Sequence, residues 1–140
     1  MVSLEEGIFD FLSNHKPITD LVGVAGDARI FPLRMPKDIH DILPAIVYRK
    51  ISGVRELAHT GSSELARSRV QFSCYSSENY LEAKAIALQI IKLFTGFKGL
   101  LKDVPVQCTL VELELDQDDE GTNLYLTIID VTFWHEERIP

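Results

Sequence analysis

The residues best spaced for chemistry are Asp116, Asp118 and Glu120, at alternate positions and followed by Gly121. Oxygen ligands at positions one, three and five, then a glycine, open a calcium loop. Such a loop closes on a bidentate glutamate at its twelfth position, and here that position holds Thr127. Without that carboxylate the segment is expected to bind calcium only weakly and to serve as a solvated hairpin tip. His15, His40, His59 and His135 are too far apart for an H-x-x-x-H pair, and neither Cys74 nor Cys108 lies in C-x-x-C, so no structural zinc site is expected. Gly61-Ser62-Ser63 lacks the G-x-S-x-G frame of a nucleophile elbow. Gly23-Val24-Ala25-Gly26 and Gly96-Phe97-Lys98-Gly99 lack the Lys-Ser/Thr of a phosphate-binding loop. The expectation is a chain with no catalytic residues, no metal and no cofactor.

Composition narrows the class in the same direction. The chain has 140 residues, 46% hydrophobic and 25% charged, which suits one globular domain over 1–140. A formal net charge of −7 argues against broad binding to a phosphate backbone, although DNA could pass nearby without sticking. Two cysteines in strand-like runs are expected to be small buried thiols, and a reducing compartment fits them. Met1 to Glu6 has no basic region before an apolar run, so no secretory signal is expected. No apolar run reaches the length of a bilayer span.

The elements that would position these residues follow from periodicity. Ser3-Leu4-Glu5-Glu6 is a capping box, and Leu4, Ile8, Phe11 and Leu12 form one apolar stripe. Pro17 ends that helix and starts a short second one, stopped at Gly23. Arg29–Pro32 and Ala45–Ser52 are strands, separated by a proline-rich ordered loop. Gly53–Ala66 is expected to be a polar connection, followed by a strand with Val70, Phe72 and Cys74 facing the core. Ser76-Ser77-Glu78 is expected to open the main helix, from about Glu78 to Thr95 with Gly96 beyond it. The polar stripe of that helix is narrow (Glu78, Glu82, Gln89, Lys92), so it calls for cover on two sides, from the first helix or from a neighbouring subunit. Two long strands finish the chain. The first alternates from Val104 to Leu110 and slips phase at Val111, which signals a bulge or bend. The second runs from Leu124 to Trp134 with Ile129, Val131 and Phe133 on one face. Trp134 and Tyr125 suit either half-buried sheet packing or an interface anchor. Strands in runs, with one packed helix, predict an α+β fold: a single bent antiparallel sheet against one long helix plus an N-terminal helix.

The order of these words carries a resemblance. After the acidic capped helix come Arg29-Ile30-Phe31-Pro32, then Leu43-Pro44-Ala45-Ile46-Val47-Tyr48. Next is Arg67-Ser68-Arg69-Val70-Gln71-Phe72-Ser73-Cys74-Tyr75, then Glu82-Ala83-Lys84-Ala85 and Ile129-Asp130-Val131-Thr132-Phe133-Trp134. Over nearly its whole length the chain resembles the small phage and prophage tail-component family that includes tail terminator (tail completion, tail-to-head joining) proteins. The resemblance implies a ring, usually hexameric, at the head-proximal end of the tail tube in the virion, made in the bacterial host cytoplasm. Such a ring stops tube polymerisation, meets the tail tube protein and the head–tail connector protein, and lets DNA pass through its lumen. It implies no catalytic residues and no membrane. Two other roles fit the same pattern: a connector adaptor or minor tail protein, and, from another class, a small-ligand-binding α+β regulatory domain.

Within that implied role, the Gly53–Ala66 connection is the expected place for assembly contacts. It holds too little apolar surface to offset an ordering cost of roughly 1–2 kcal/mol per residue, so it should be mobile alone and ordered in a ring. Arg55 and Glu56 near its start, His59 at its tip, and Glu64 and Arg67 near its end are the candidate interface residues.

Overall fold

The computed structural model describes residues 3–23, 29–33, 44–55, 65–76, 79–119 and 124–136, with the side chains of Arg55, Asp118 and Asp119 excepted. The chain order is α1 (Leu4–Ser13), α2 (Lys16–Val22), β1 (Ile30–Pro32), β2 (Ala45–Arg55), β3 (Leu65–Ser76), α3 (Tyr80–Phe94), β4 (Gly99–Leu101), β5 (Val104–Asp119) and β6 (Leu124–Glu136). The six strands form one curled sheet in the order β1-β2-β3-β6-β5-β4. The α+β class holds. The sheet is mixed rather than wholly antiparallel, because β1 lies parallel to β2 at one edge, while every other pair is antiparallel.

Local chemistry sets the helix ends. Ser3 Oγ accepts from the Glu6 N–H at 3.2 Å, and Pro17 sits in the first turn of α2, where its missing N–H costs nothing. The cap of α3 is Asn79, whose Oδ1 accepts from the Glu82 N–H at 2.8 Å. This moves the helix start expected at Ser76-Ser77-Glu78, of which Ser77 and Glu78 lie outside the described residues. Ser76 belongs to β3, and its hydroxyl donates to the Glu82 carboxylate at 2.7 Å. Gly96, at φ 69°, takes the left-handed turn that ends α3.

The three helices pack on one face of the sheet. Val70, Phe72, Cys74, Ile129, Val131 and Phe133, fully buried, meet Ile86, Ala87, Ile90 and Phe94 of α3 there. Phe94 is the hub, with Phe133 edge-on at 5.2 Å, Phe72 stacked at 5.7 Å, and Phe11 and Phe97 each at 6.1 Å. α1 and α2 supply the second side of cover that α3 calls for, through Phe11, Leu12, Ile18 and Val22. Leu81 and Leu88 of α3, 71% and 50% exposed, stay outside that cover.

The phase slip in β5 is real and double. Register breaks against β6 at Gln107 and again at Glu112, each an extra residue on β5. The earlier bulge turns Cys108 and Leu110 to the helix-free face. Cys108 is therefore exposed and only Cys74 is buried, against the expectation for both. Two further corrections concern length. β2 runs on to Arg55 and β3 begins at Leu65, so the ends of the Gly53–Ala66 segment are paired strand rather than loop. β5 runs to Asp119, so Asp116 and Asp118 are strand residues and not part of a turn. Residues 56–64, the centre of the expected connection, and Glu120, at the expected hairpin tip, lie outside the described residues.

Candidate assembly surface

On the helix-free face, strand alternation lines up Arg67 and Arg69 of β3 with Trp134, Thr132 and Asp130 of β6 and with Ser52 and Val54 of β2. The Asp130 side chain is 4% exposed and would be costly to bury alone. Arg69 answers it with Nε at 3.1 Å and Nη2 at 2.8 Å, both donating to Oδ2. Arg69 Nη1 also lies 3.5 Å from Glu112, the residue extruded by the second bulge, and Glu112 accepts from the Thr132 hydroxyl at 2.6 Å. The bulge thus brings a carboxylate from β5 onto a cation of β3, two strands away.

Beside this network lies a 220 Å³ hollow lined by Ser52, Val54, Arg67, Arg69, Glu112, Thr132 and Trp134. Arg69 is neutralised by its two acids. Arg67 is exposed, and its side chain makes no hydrogen bond or ion pair with the described residues. Trp134 is half-buried at the rim, and Tyr125 is exposed on the opposite face. Around them stand Leu110, Leu113 and Leu115 of β5 and Ile51 and Val54 of β2, all exposed aliphatics. Asp130 Oδ1 is buried and has no partner among the described residues, since both Arg69 bonds go to Oδ2. The surface is therefore apolar patches around a charge network, which suits a protein contact better than a small-molecule cleft.

The opposite face holds the acidic stretch of β5. Asp116 Oδ2 accepts from the Tyr80 hydroxyl at 2.8 Å and Oδ1 from the Thr127 hydroxyl at 3.0 Å, while Lys84 of α3 bridges Glu114 and Asp116. The Tyr80 hydrogen bond, then Thr127 and Lys84, hold the Asp116 carboxyl below its ordinary value, and the same bond raises the Tyr80 phenol. Thr127, which fails as a calcium ligand, serves as a donor to Asp116. No group of three metal-ligating side chains occurs among the described residues. His135 is buried in a separate contact. Its Nδ1 lies 3.1 Å from the Glu136 carbonyl, so it carries the proton there, and Nε2 is left to accept from the Ser68 hydroxyl at 2.8 Å. No described helix is long and apolar enough to cross a membrane.

Of the five interface candidates, Arg67 sits in the hollow and Arg55 ends β2, which the register places one residue from the cross-strand partner of Arg67. Glu56, His59 and Glu64 lie outside the described residues. Sequence reasoning missed Arg69, Asp130 and Glu112. The alternation Arg67-Ser68-Arg69 opposite Asp130-Val131-Thr132 was a usable signal, but it needs the β3–β6 pairing to be read.

No protein-family model matches the sequence, and a search of curated proteins found no match. Among solved structures, the fold is shared with a chain from the virion of a native gene transfer agent (GTA) particle, at a TM-score of 0.74 and 12% identity, over 96% of each chain.

Proposed function

We propose that this chain is a structural part of a phage-like virion and acts as a tail terminator. Copies form a ring, hexameric by the resemblance in sequence, on the head-proximal end of the tail tube. The ring halts addition of tail tube protein, presents a surface to the head–tail connector protein, and lets DNA through its lumen. The work is done by fit between surfaces, with no bond made or broken. One observation carries this reading: the fold matches a gene transfer agent virion chain end to end, without insertions large enough to lower coverage on either side. The surface supports it, since the helix-free face offers exposed aliphatics and an Arg67 side chain without a partner among the described residues. The net charge of −7 would let DNA pass through without holding it.

Deleting the gene from a particle-producing genome and viewing the lysate by negative-stain electron microscopy tests the reading. Tails of uncontrolled length, separate from filled heads, are expected. Joined particles with tails of normal length would overturn it.

A further inference from the structure

Among the described residues, two stretches of strand lack a neighbour, and they lie at opposite ends of the sheet. β1 covers only Ile46–Tyr48 of β2, so no described strand pairs with the outer side of Arg49–Arg55. β4 covers only Val104–Val106 of β5, so Gln107–Asp119 is bare in the same sense. A row of unmatched backbone N–H and C=O groups is a template for another strand. The two bare stretches differ in charge. The sequence from Gln107 to Asp119 holds Glu112, Glu114, Asp116, Asp118 and Asp119 with no Lys or Arg; Arg49 to Arg55 holds Arg49, Lys50 and Arg55 with no acid.

We propose that the bare edge of β5 pairs, antiparallel, with the bare edge of β2 of a second copy of this chain, head to tail, so that one sheet continues into the next. The proposal rests on the assembly in the preceding reading and supplies its contact. Direction agrees: β2, β3, β6 and β5 alternate in sense, so a neighbour in the same orientation brings β5 to β2 antiparallel. Charge selects the partner, because β5 on β5 would set acid against acid and β2 on β2 cation against cation. A contact between two different edges is heterologous, the kind that closes into a ring.

The register follows from sterics. β1 occupies the column beside Ile46–Tyr48, so the incoming strand starts with Asp119 opposite Arg49. From there, with Ile51 skipped as the bulged residue of β2, Lys50 meets Asp118, Ser52 meets Gln117, Gly53 meets Asp116, Val54 meets Leu115 and Arg55 meets Glu114. Every cation of the β2 edge falls opposite an acid. Val54 and Leu115, 45% and 41% exposed in the single chain, fall opposite each other on the helix-free face. A slip of one residue would send each side chain to the wrong face. The Leu113–Asp119 stretch carries no bulge, whereas Gln107 and Glu112 break the rest of the β5 edge and limit pairing to this end.

Cross-linking tests this directly in the full chain. With Cys108→Ser to remove the exposed native thiol, Val54→Cys and Leu115→Cys together should give a ladder of covalent oligomers with a short thiol-bridging reagent. Either substitution alone should give none, and a mixture of the two single variants should give dimers. Both positions are exposed, so folding should survive. Native mass spectrometry gives the second readout: Arg49→Glu with Lys50→Glu should reduce assemblies to monomers that stay folded by circular dichroism, with a small loss of stability from the Lys50–Glu5 pair and the Arg49–Gln71 bonds. Assemblies that persist with no ladder, or covalent dimers from Val54→Cys alone, would overturn the edge pairing and leave the terminator reading standing. A deletion that leaves normal particles would overturn the terminator reading and leave the pairing standing.

Discussion

Gly7→Ala reverses the usual sign of a helix substitution. Gly7 lies within α1, where alanine ordinarily stabilises by about 1 kcal/mol. Here a Cβ would stand 2.5 Å from the carbonyl oxygen of Leu101, 3.0 Å from its Cβ and 3.1 Å from its carbonyl carbon. Two of those atoms are backbone of β4 and cannot rotate aside. Relief would require α1 to move by about 1 Å from a close-packed surface, and such overpacking costs about 1–3 kcal/mol. A 2.5 Å approach to backbone puts the cost at the upper end of that range, about 2–3 kcal/mol, so after the helix gain the net loss should be about 1–2 kcal/mol. For a domain of this size that lowers Tm by roughly 3–8 °C. Thermal and urea unfolding followed by circular dichroism reads it, with Gly53→Ala as control. At Gly53 the nearest atom is the flexible Lys50 Cδ at 3.4 Å, so little change is expected. A Gly7→Ala protein as stable as the parent, or more so, would refute the close docking of α1 on β4.

Phe94→Ala empties the centre of an aromatic cluster of Phe11, Phe72, Phe97 and Phe133 and should cost about 3–5 kcal/mol in urea unfolding, more than any single exposed leucine. Asp116 has a lowered pKa in the fold, so its ties to Tyr80, Thr127 and Lys84 contribute above the ordinary carboxylate value and are lost as pH falls through the lowered one. Tyr80→Phe should raise the Asp116 carboxyl toward its ordinary value in an NMR titration. Burial pushes the Cys74 thiol up, while Cys108 is exposed, so a thiol reagent should add one label to the native chain and two in denaturant, read by mass spectrometry.

Much of the fold was legible because one periodicity governed it. β3 and β6 bury the face turned to the helices, Tyr125 excepted, and α3 repeats apolar residues at helical spacing, so the central layers were readable from local pattern alone. The misreadings lie where pattern depends on a partner. β1 is three residues long, and its parallel pairing with β2 has no local signature. β4 is a three-residue strand that exists only because Val104–Val106 stands beside it. Ser76 and Asn79 are both fair caps, and the extra length of β3 decided for Asn79. The slip at Val111 was visible as a change of phase, but the bulge at Gln107 was hidden, since Cys108 and Leu110 suit either face. The charge network failed to show for the same reason: Arg69, Asp130 and Glu112 come from three strands, joined only by register.

The central claim is a place in a particle, and labelling that place tests it most directly. A gold-binding tag carried by this chain in assembled particles should appear by electron microscopy as a single cluster where the tail meets the head. Label spread along the tail, confined to the distal tip, or missing from purified particles would contradict the account.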